Sequence, residues 1–140
     1  HWRAVRPDDD WQAHAFVYQV MDAVESQSVI VVRADGPTFA LWYGLYAEEV
    51  RSDVSVINGP LLAFYWYRDN MRHLYPHLVL NEPGPKVESF DDLVYDLMAS
   101  NGSLTFYAVD PKEEWREWAD FSPVEGTTIL RVELMAGSVP

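Results

Sequence analysis

At 140 residues the chain fits one domain with a buried core, and its 49% hydrophobic and 14% aromatic content lies far from that of disordered chains. A formal charge of −12, from 10 basic and 22 acidic residues, argues against nucleic acid and against anionic lipid, both of which call for clustered Lys and Arg. The lack of cysteine removes disulfides, Cys-ligated zinc, Fe–S clusters and thiol catalysis together.

Asp8-Asp9-Asp10 lead into Trp11, Ala15, Tyr18 and Met21, flanked by Val17, Val20 and Val24, an apolar face at helical spacing with acids in its first turn. Ser28 to Val32 is an apolar β-branched run and reads as the first strand. A short loop, Ala34-Asp35-Gly36-Pro37, then opens a helical pattern at Thr38 that carries Phe39, Trp42, Tyr43 and Tyr46, with Glu48, Glu49 and Arg51 marking its solvated end. Asp53 to Ile57 alternates like a strand and closes at the turn Asn58-Gly59-Pro60. Residues 61–75 fit either a strand extension or a helix through Tyr67, Met71 and Leu74.

Further on, His77 to Leu80 is a short strand candidate, and Asn81 to Lys86 a loop. Ser89-Phe-Asp-Asp92 has the form of a capping box and starts a helix through Leu93, Leu97 and Met98 that ends at Asn101-Gly102. Leu104 to Val109 reads as a strand, Asp110-Pro111 as an N-cap with proline at the first helical position, and Thr127 to Val132 as the last strand. The alternation predicts an α/β fold: a three-layer α/β/α sandwich with a mostly parallel, Rossmann-like sheet of about five strands. The stretch Phe121 to Gly126 leaves room for a turn back, which allows an antiparallel closing strand.

The first strand, its loop and the following helix form the place where open α/β sheets put a ligand crevice. Asp35 and Thr38 are therefore candidates for a polar-ligand site, with Asp35 accepting hydroxyls and helix-end N–H groups donating. Capping of the helix by Asp35 explains the same residue without a ligand. No glycine-rich phosphate cradle, Gly-x-Ser-x-Gly elbow or zinc-binding His-x-x-x-His with a neighbouring Glu occurs, so no cofactor, metal site or catalytic triad is expected. Asp91-Asp92 and Glu113-Glu114 suit first helical turns. Asn101-Gly102-Ser103 matches a glycosylation acceptor pattern and equally a helix end. Trp42, Tyr43 and Trp66 are candidate ligand-binding rings, with core packing as the alternative for 39–46; residues 64–67 cannot all face inward in regular structure.

The run Val31-Val-Arg-Ala-Asp-Gly-Pro-Thr-Phe-Ala-Leu-Trp-Tyr43, then Glu49-Val-Arg-Ser-Asp-Val-Ser-Val-Ile-Asn58 and Leu61-Leu-Ala-Phe-Tyr-Trp-Tyr67, resembles the soluble C-terminal region of a polytopic membrane protein family. These are the uncharacterised relatives of protein O-mannosyltransferases, with glycosyltransferase C-type architecture. Asp35 matches the first acid of the family motif, whereas Pro37 stands in place of the second. The resemblance implies a non-catalytic extracytoplasmic domain of a multi-spanning membrane protein. Such a domain would bind glycan or peptide acceptor, or scaffold the assembly, with the transmembrane part of the same polypeptide as partner. The start at His1-Trp2-Arg3, without an initiator Met, fits an excised fragment or processed product of such a parent. Two alternatives remain: a stand-alone enzyme using Asp35 on a small molecule, and a purely structural interaction module.

Overall fold

A computed structural model describes residues 7–46, 51–85, 87 and 89–138; the side chains of residues 7–13, 35, 39, 43, 45 and 46 lie outside that description. The elements in chain order are α1 (Pro7–Ala23), β1 (Val29–Val32), α2 (Asp35–Tyr46), β2 (Ser55–Asn58), a 3-10 turn (Pro60–Ala63), α3 (Tyr65–Leu74), α4 (Phe90–Ser100), β3 (Phe106–Val109), a second 3-10 turn (Glu113–Glu117), β4 (Ala119–Pro123) and β5 (Leu130–Leu134). They form a mixed α/β fold around one five-stranded sheet, in the order β2-β1-β3-β5-β4. β1 pairs in parallel with β2 and β3. β5 then runs antiparallel to both β3 and β4. Two of the four pairings are thus antiparallel, which departs from the mostly parallel sheet expected.

β1 lies inside the sheet between β2 and β3, and all four of its residues are buried, the signature of a strand covered on both sides. Its side chains alternate between two apolar clusters. Ile30 and Val32 join Val56, Tyr107 and Val109 beneath Val20 and Met21 of α1, Val24 just past its end and Leu41 of α2. Val29 and Val31 face the other way with Ile57, Phe106 and Ala108, against Tyr67 and Met71 of α3 and Val94, Leu97 and Met98 of α4. α1 lies so close to α2 that a Cβ on Gly44 would collide with a Val17 methyl group, so any larger residue there has to displace Val17.

Several sequence expectations meet their outcome here. The Ser89 capping box forms, with the Ser89 and Asp92 side chains bonding reciprocally at the start of α4. Residues 61–75 resolve as the end of the 3-10 turn and then, from Tyr65 to Leu74, as α3, whose Tyr67 and Met71 lie on one buried face. The strand candidate His77 to Leu80 is not a strand. The Asn101 side chain takes up both the N–H and the C=O of Val79, at 2.9 Å each, and replaces a ladder partner. Asp110 is not a helix N-cap either: it adopts φ 51°, and Lys112 precedes the short 3-10 turn instead. β4 takes up the first part of the stretch from Phe121 that leaves room for a turn back, and only Ala119 of its five residues is buried, leaving no apolar alternation to mark a strand. Glu48 and Glu49, expected to end α2, lie outside the described residues.

Candidate functional site

The order β2-β1-β3 makes the chain leave β1 toward one neighbour and return on the other side, so a topological switch point lies between the ends of β1 and β3. Arg33 and Asp110 directly follow those two strands. The Arg33 Nε donates to the Asp110 carbonyl at 2.6 Å, and its terminal nitrogen meets the carboxylate at 3.1 Å. The crevice position is therefore bridged by the protein's own ion pair. Sequence reasoning missed this pair, although opposite charges one residue past two parallel strands were visible once those strands were aligned.

Asp35 is the first residue of α2, and its side chain and that of Tyr43 lie outside the described residues. Thr38 is buried. Its hydroxyl donates to the Ala34 carbonyl at 2.7 Å and accepts from the Asn58 side-chain amide at 3.3 Å. The other end of that amide accepts from the Leu61 N–H at 3.0 Å and fixes the turn after β2. Thr38 thus ties α2 to the end of β2.

Trp42 continues the same seam. Ser55 and Gly59 direct their N–H groups toward β1, at 3.0 and 2.8 Å, so the intervening Val56 and Asn58 face out from the edge of the sheet. Each outward group finds an aromatic partner. The Tyr75 hydroxyl accepts from Val56 N–H at 3.2 Å, the Tyr67 hydroxyl accepts from Asn58 N–H at 2.8 Å, and the Trp42 indole donates to the Val56 carbonyl at 3.3 Å. Edge strands left bare invite foreign strand pairing, and here three rings occupy the β2 edge. Trp42 also lies 6.5 Å from Tyr67, ring to ring, and Trp66 packs edge-on against the opposite side of Tyr67 at 5.9 Å. Of the candidate rings, the structure therefore brings Trp42 and Trp66 to one aromatic run, with Trp42 half-buried and Trp66 55% exposed. Phe64 and Tyr65 stand out beside it, 51% and 64% exposed.

A second polar assembly lies at the opposite end of β2. Arg51 donates to Asp53 at 2.8 and 2.9 Å and to the carbonyls of Met21, Val24 and Glu25 that end α1. Asp53 in turn accepts from the N–H of Gln27, which holds φ 57°. The Arg51 hydrogen bonds, opposed by burial and helped by Gln27, hold the Asp53 carboxyl well below the usual range, and Asp53 raises Arg51 in return. Asp91, at the start of α4, is pulled down despite burial by hydrogen bonds from Lys112, Trp115 and Ser89. Both acids are occupied by cations and donors of the fold.

Among the described residues, clefts open elsewhere. One of about 480 Å³ lies at the beginning of the parallel strands, lined by Gln27, Asp53, His77 and Asn101. Another of about 380 Å³ lies between Leu104 and Glu133, and one of about 550 Å³ between Glu82 and Asp96. None of the three is lined by Thr38, Trp42 or Trp66. Among the described residues no group of three or more His, Cys, Asp or Glu is arranged to hold a metal ion, and no helix is long and apolar enough to cross a membrane.

Residues 13–76 match the family model described as TMEM260-associated domain 2. A stretch of 60 residues is 35% identical to protein O-mannosyl-transferase TMEM260 of Mus musculus, covering 42% of this chain and 8% of that protein. The matched region runs from α1 through α3 and so contains Thr38, Trp42, Arg51, Asp53, Asn58, Tyr67 and Tyr75. No solved structure matches the chain.

Proposed function

We propose, from the premise that this chain carries a domain related to O-mannosyltransferase-like membrane proteins, that it is a non-catalytic domain of a glycosyltransferase-like membrane protein. In this reading it lies on the extracytoplasmic side, and its partner is the transmembrane part of the same polypeptide. It binds glycan or peptide acceptor, or scaffolds the assembly, without a cofactor. The apolar clusters on both sheet faces support a three-layer, Rossmann-like description of the fold.

One observation carries the proposal. Among the described side chains, those at the strand ends, where a fold of this kind would hold a reactant, are engaged by the protein itself: Arg33 with Asp110, Thr38 with Ala34 and Asn58, Asn58 with Leu61. The aromatic surface around Trp66 is left to face outward. Glycan or peptide titration of the 140-residue chain, followed by Trp fluorescence, tests the binding half, and a Trp66→Phe variant shows whether that ring reports it. Glycan transfer or hydrolysis at an enzyme-like rate by the isolated chain overturns the non-catalytic reading.

A further inference from the structure

We infer that Phe64, Tyr65 and Trp66 form a wedge that seats in the headgroup region of a zwitterionic bilayer, a partner that rests on the membrane-protein reading above. These three consecutive aromatic residues are 51%, 64% and 55% exposed at the corner where the 3-10 turn enters α3, and Ala63 beside them is exposed as well. Exposing three large rings side by side costs solvation free energy that burial would recover, so the patch calls for a cover.

The composition favours lipid. Tyr and Trp rings join an apolar body to a polar tip and concentrate at membrane–water boundaries, where one end stays dry and the other wet. Charge points the same way. Residues 60–67 contain no Asp, Glu, Lys, Arg or His, while the chain as a whole carries −12. Glu82 pairs with both nearby Arg68 and Arg72, at 3.0 and 2.6 Å, and offsets one of their two charges, with Asp69 of the same helix supplying a second negative charge. A second copy of so acidic a chain, or an anionic lipid surface, meets long-range repulsion, whereas a zwitterionic surface does not.

The wedge is also held rigid. Phe64 and Trp66 rings lie 6.1 Å apart and only 30° from parallel, and Trp66 rests edge-on against Tyr67. Tyr67 is buried and anchored to β2 through its hydroxyl. Phe64 and Trp66 therefore have less side-chain freedom to lose on insertion, which favours partition.

Flotation of the 140-residue chain with phosphatidylcholine vesicles tests the inference, with phosphatidylserine-containing vesicles alongside. Phosphatidylcholine vesicles are expected to carry the chain up the gradient, and phosphatidylserine to weaken the association. Phe64→Ser combined with Trp66→Ser should reduce partition at least roughly tenfold while the chain stays cooperatively folded, the lost contact of Trp66 with Tyr67 lowering the urea midpoint only modestly. Absence of flotation at high lipid, or flotation unchanged in the double variant, overturns it. So does a dimer in sedimentation analysis that the double variant abolishes without any vesicle binding. The non-catalytic reading is judged by turnover of the isolated chain, so the two fail independently.

Discussion

Arg33 and Asp110 close the gap between β1 and β3 through two unequal bonds, the shorter of them to the Asp110 backbone carbonyl. That inequality sets which partner matters more. Arg33→Ala removes both bonds and is expected to cost about 1 kcal/mol, whereas Asp110→Asn keeps the carbonyl contact and costs less than about 0.5 kcal/mol, the pair being largely solvated. Because Asp110 holds a positive φ, Asp110→Ala adds left-handed strain of roughly 1 kcal/mol that Asp110→Gly avoids. Urea unfolding of the four variants ranks them. An equal loss for Arg33→Ala and Asp110→Asn would show that the carboxylate carries the bridge.

The Arg51–Asp53 clamp makes stability depend on acid pH. The folded-state pKa of Asp53 lies below its unfolded value of about 3.9, so the contribution is complete above about pH 5 and is lost as pH falls toward the folded pKa. Asp53→Asn is expected to cost about 1–2 kcal/mol at pH 7, a figure reduced for the partial exposure of the pair, and to flatten the decline between about pH 5 and pH 2. Urea midpoints measured across that range check it; parallel curves for the two proteins would remove Asp53 from the acid response. Arg51→Lys is expected to resemble the loss of the clamp, since a single ammonium cannot span Asp53 and three carbonyls.

Tyr67→Phe and Tyr75→Phe each delete one hydroxyl and leave a buried N–H of β2, at Asn58 or Val56, without its acceptor. Each is expected to cost about 1–3 kcal/mol, far more than a solvent-facing Tyr→Phe exchange. Amide hydrogen exchange gives a residue-level reading: protection at Asn58 should fall in the first variant and at Val56 in the second. Unchanged protection at both would mean that the rings merely fill space.

Asn101 sits in a glycosylation acceptor pattern, yet it is buried and its amide donates to the carbonyls of Val79 and Leu97. The side chain that would receive a sugar is holding the 78–80 segment on α4. Expression in a glycosylating host is expected to leave the mass unchanged. Asn101→Ala should destabilise by about 2–3 kcal/mol through the loss of three hydrogen bonds, measured by thermal or urea unfolding.

The elements legible in the sequence are those whose burial repeats. The β-branched run of β1 and the apolar spacing of α4, with its Ser89 box, needed only local chemistry to be read. β4 stayed hidden because a strand with one buried residue carries no period. The 77–80 segment looked like a strand because extended, apolar backbone can be satisfied by one distant amide as well as by a neighbouring strand. At the candidate site, Thr38, Trp42 and Asn58 were visible as motif residues, but their work on the β2 edge was not. That depends on hydroxyls from Tyr67 and Tyr75, which helical spacing alone marks as core. Asp110 misled for a related reason: Asp-Pro is a common helix entrance, and only the approach of Arg33 shows why the residue turns left-handed.

The aromatic covering of β2 has a consequence for crowding. Growth of a sheet from molecule to molecule requires two open borders on every unit, and here the border next to β1 is occupied by Trp42, Tyr67 and Tyr75. Among the described residues, backbone pairing between copies is therefore blocked at Val56 and Asn58 of β2, and a pairing through the β4 border alone ends after two chains have met. A domain tethered at high local density beside others of its kind would, on this architecture, be able to touch a neighbour without seeding a fibre.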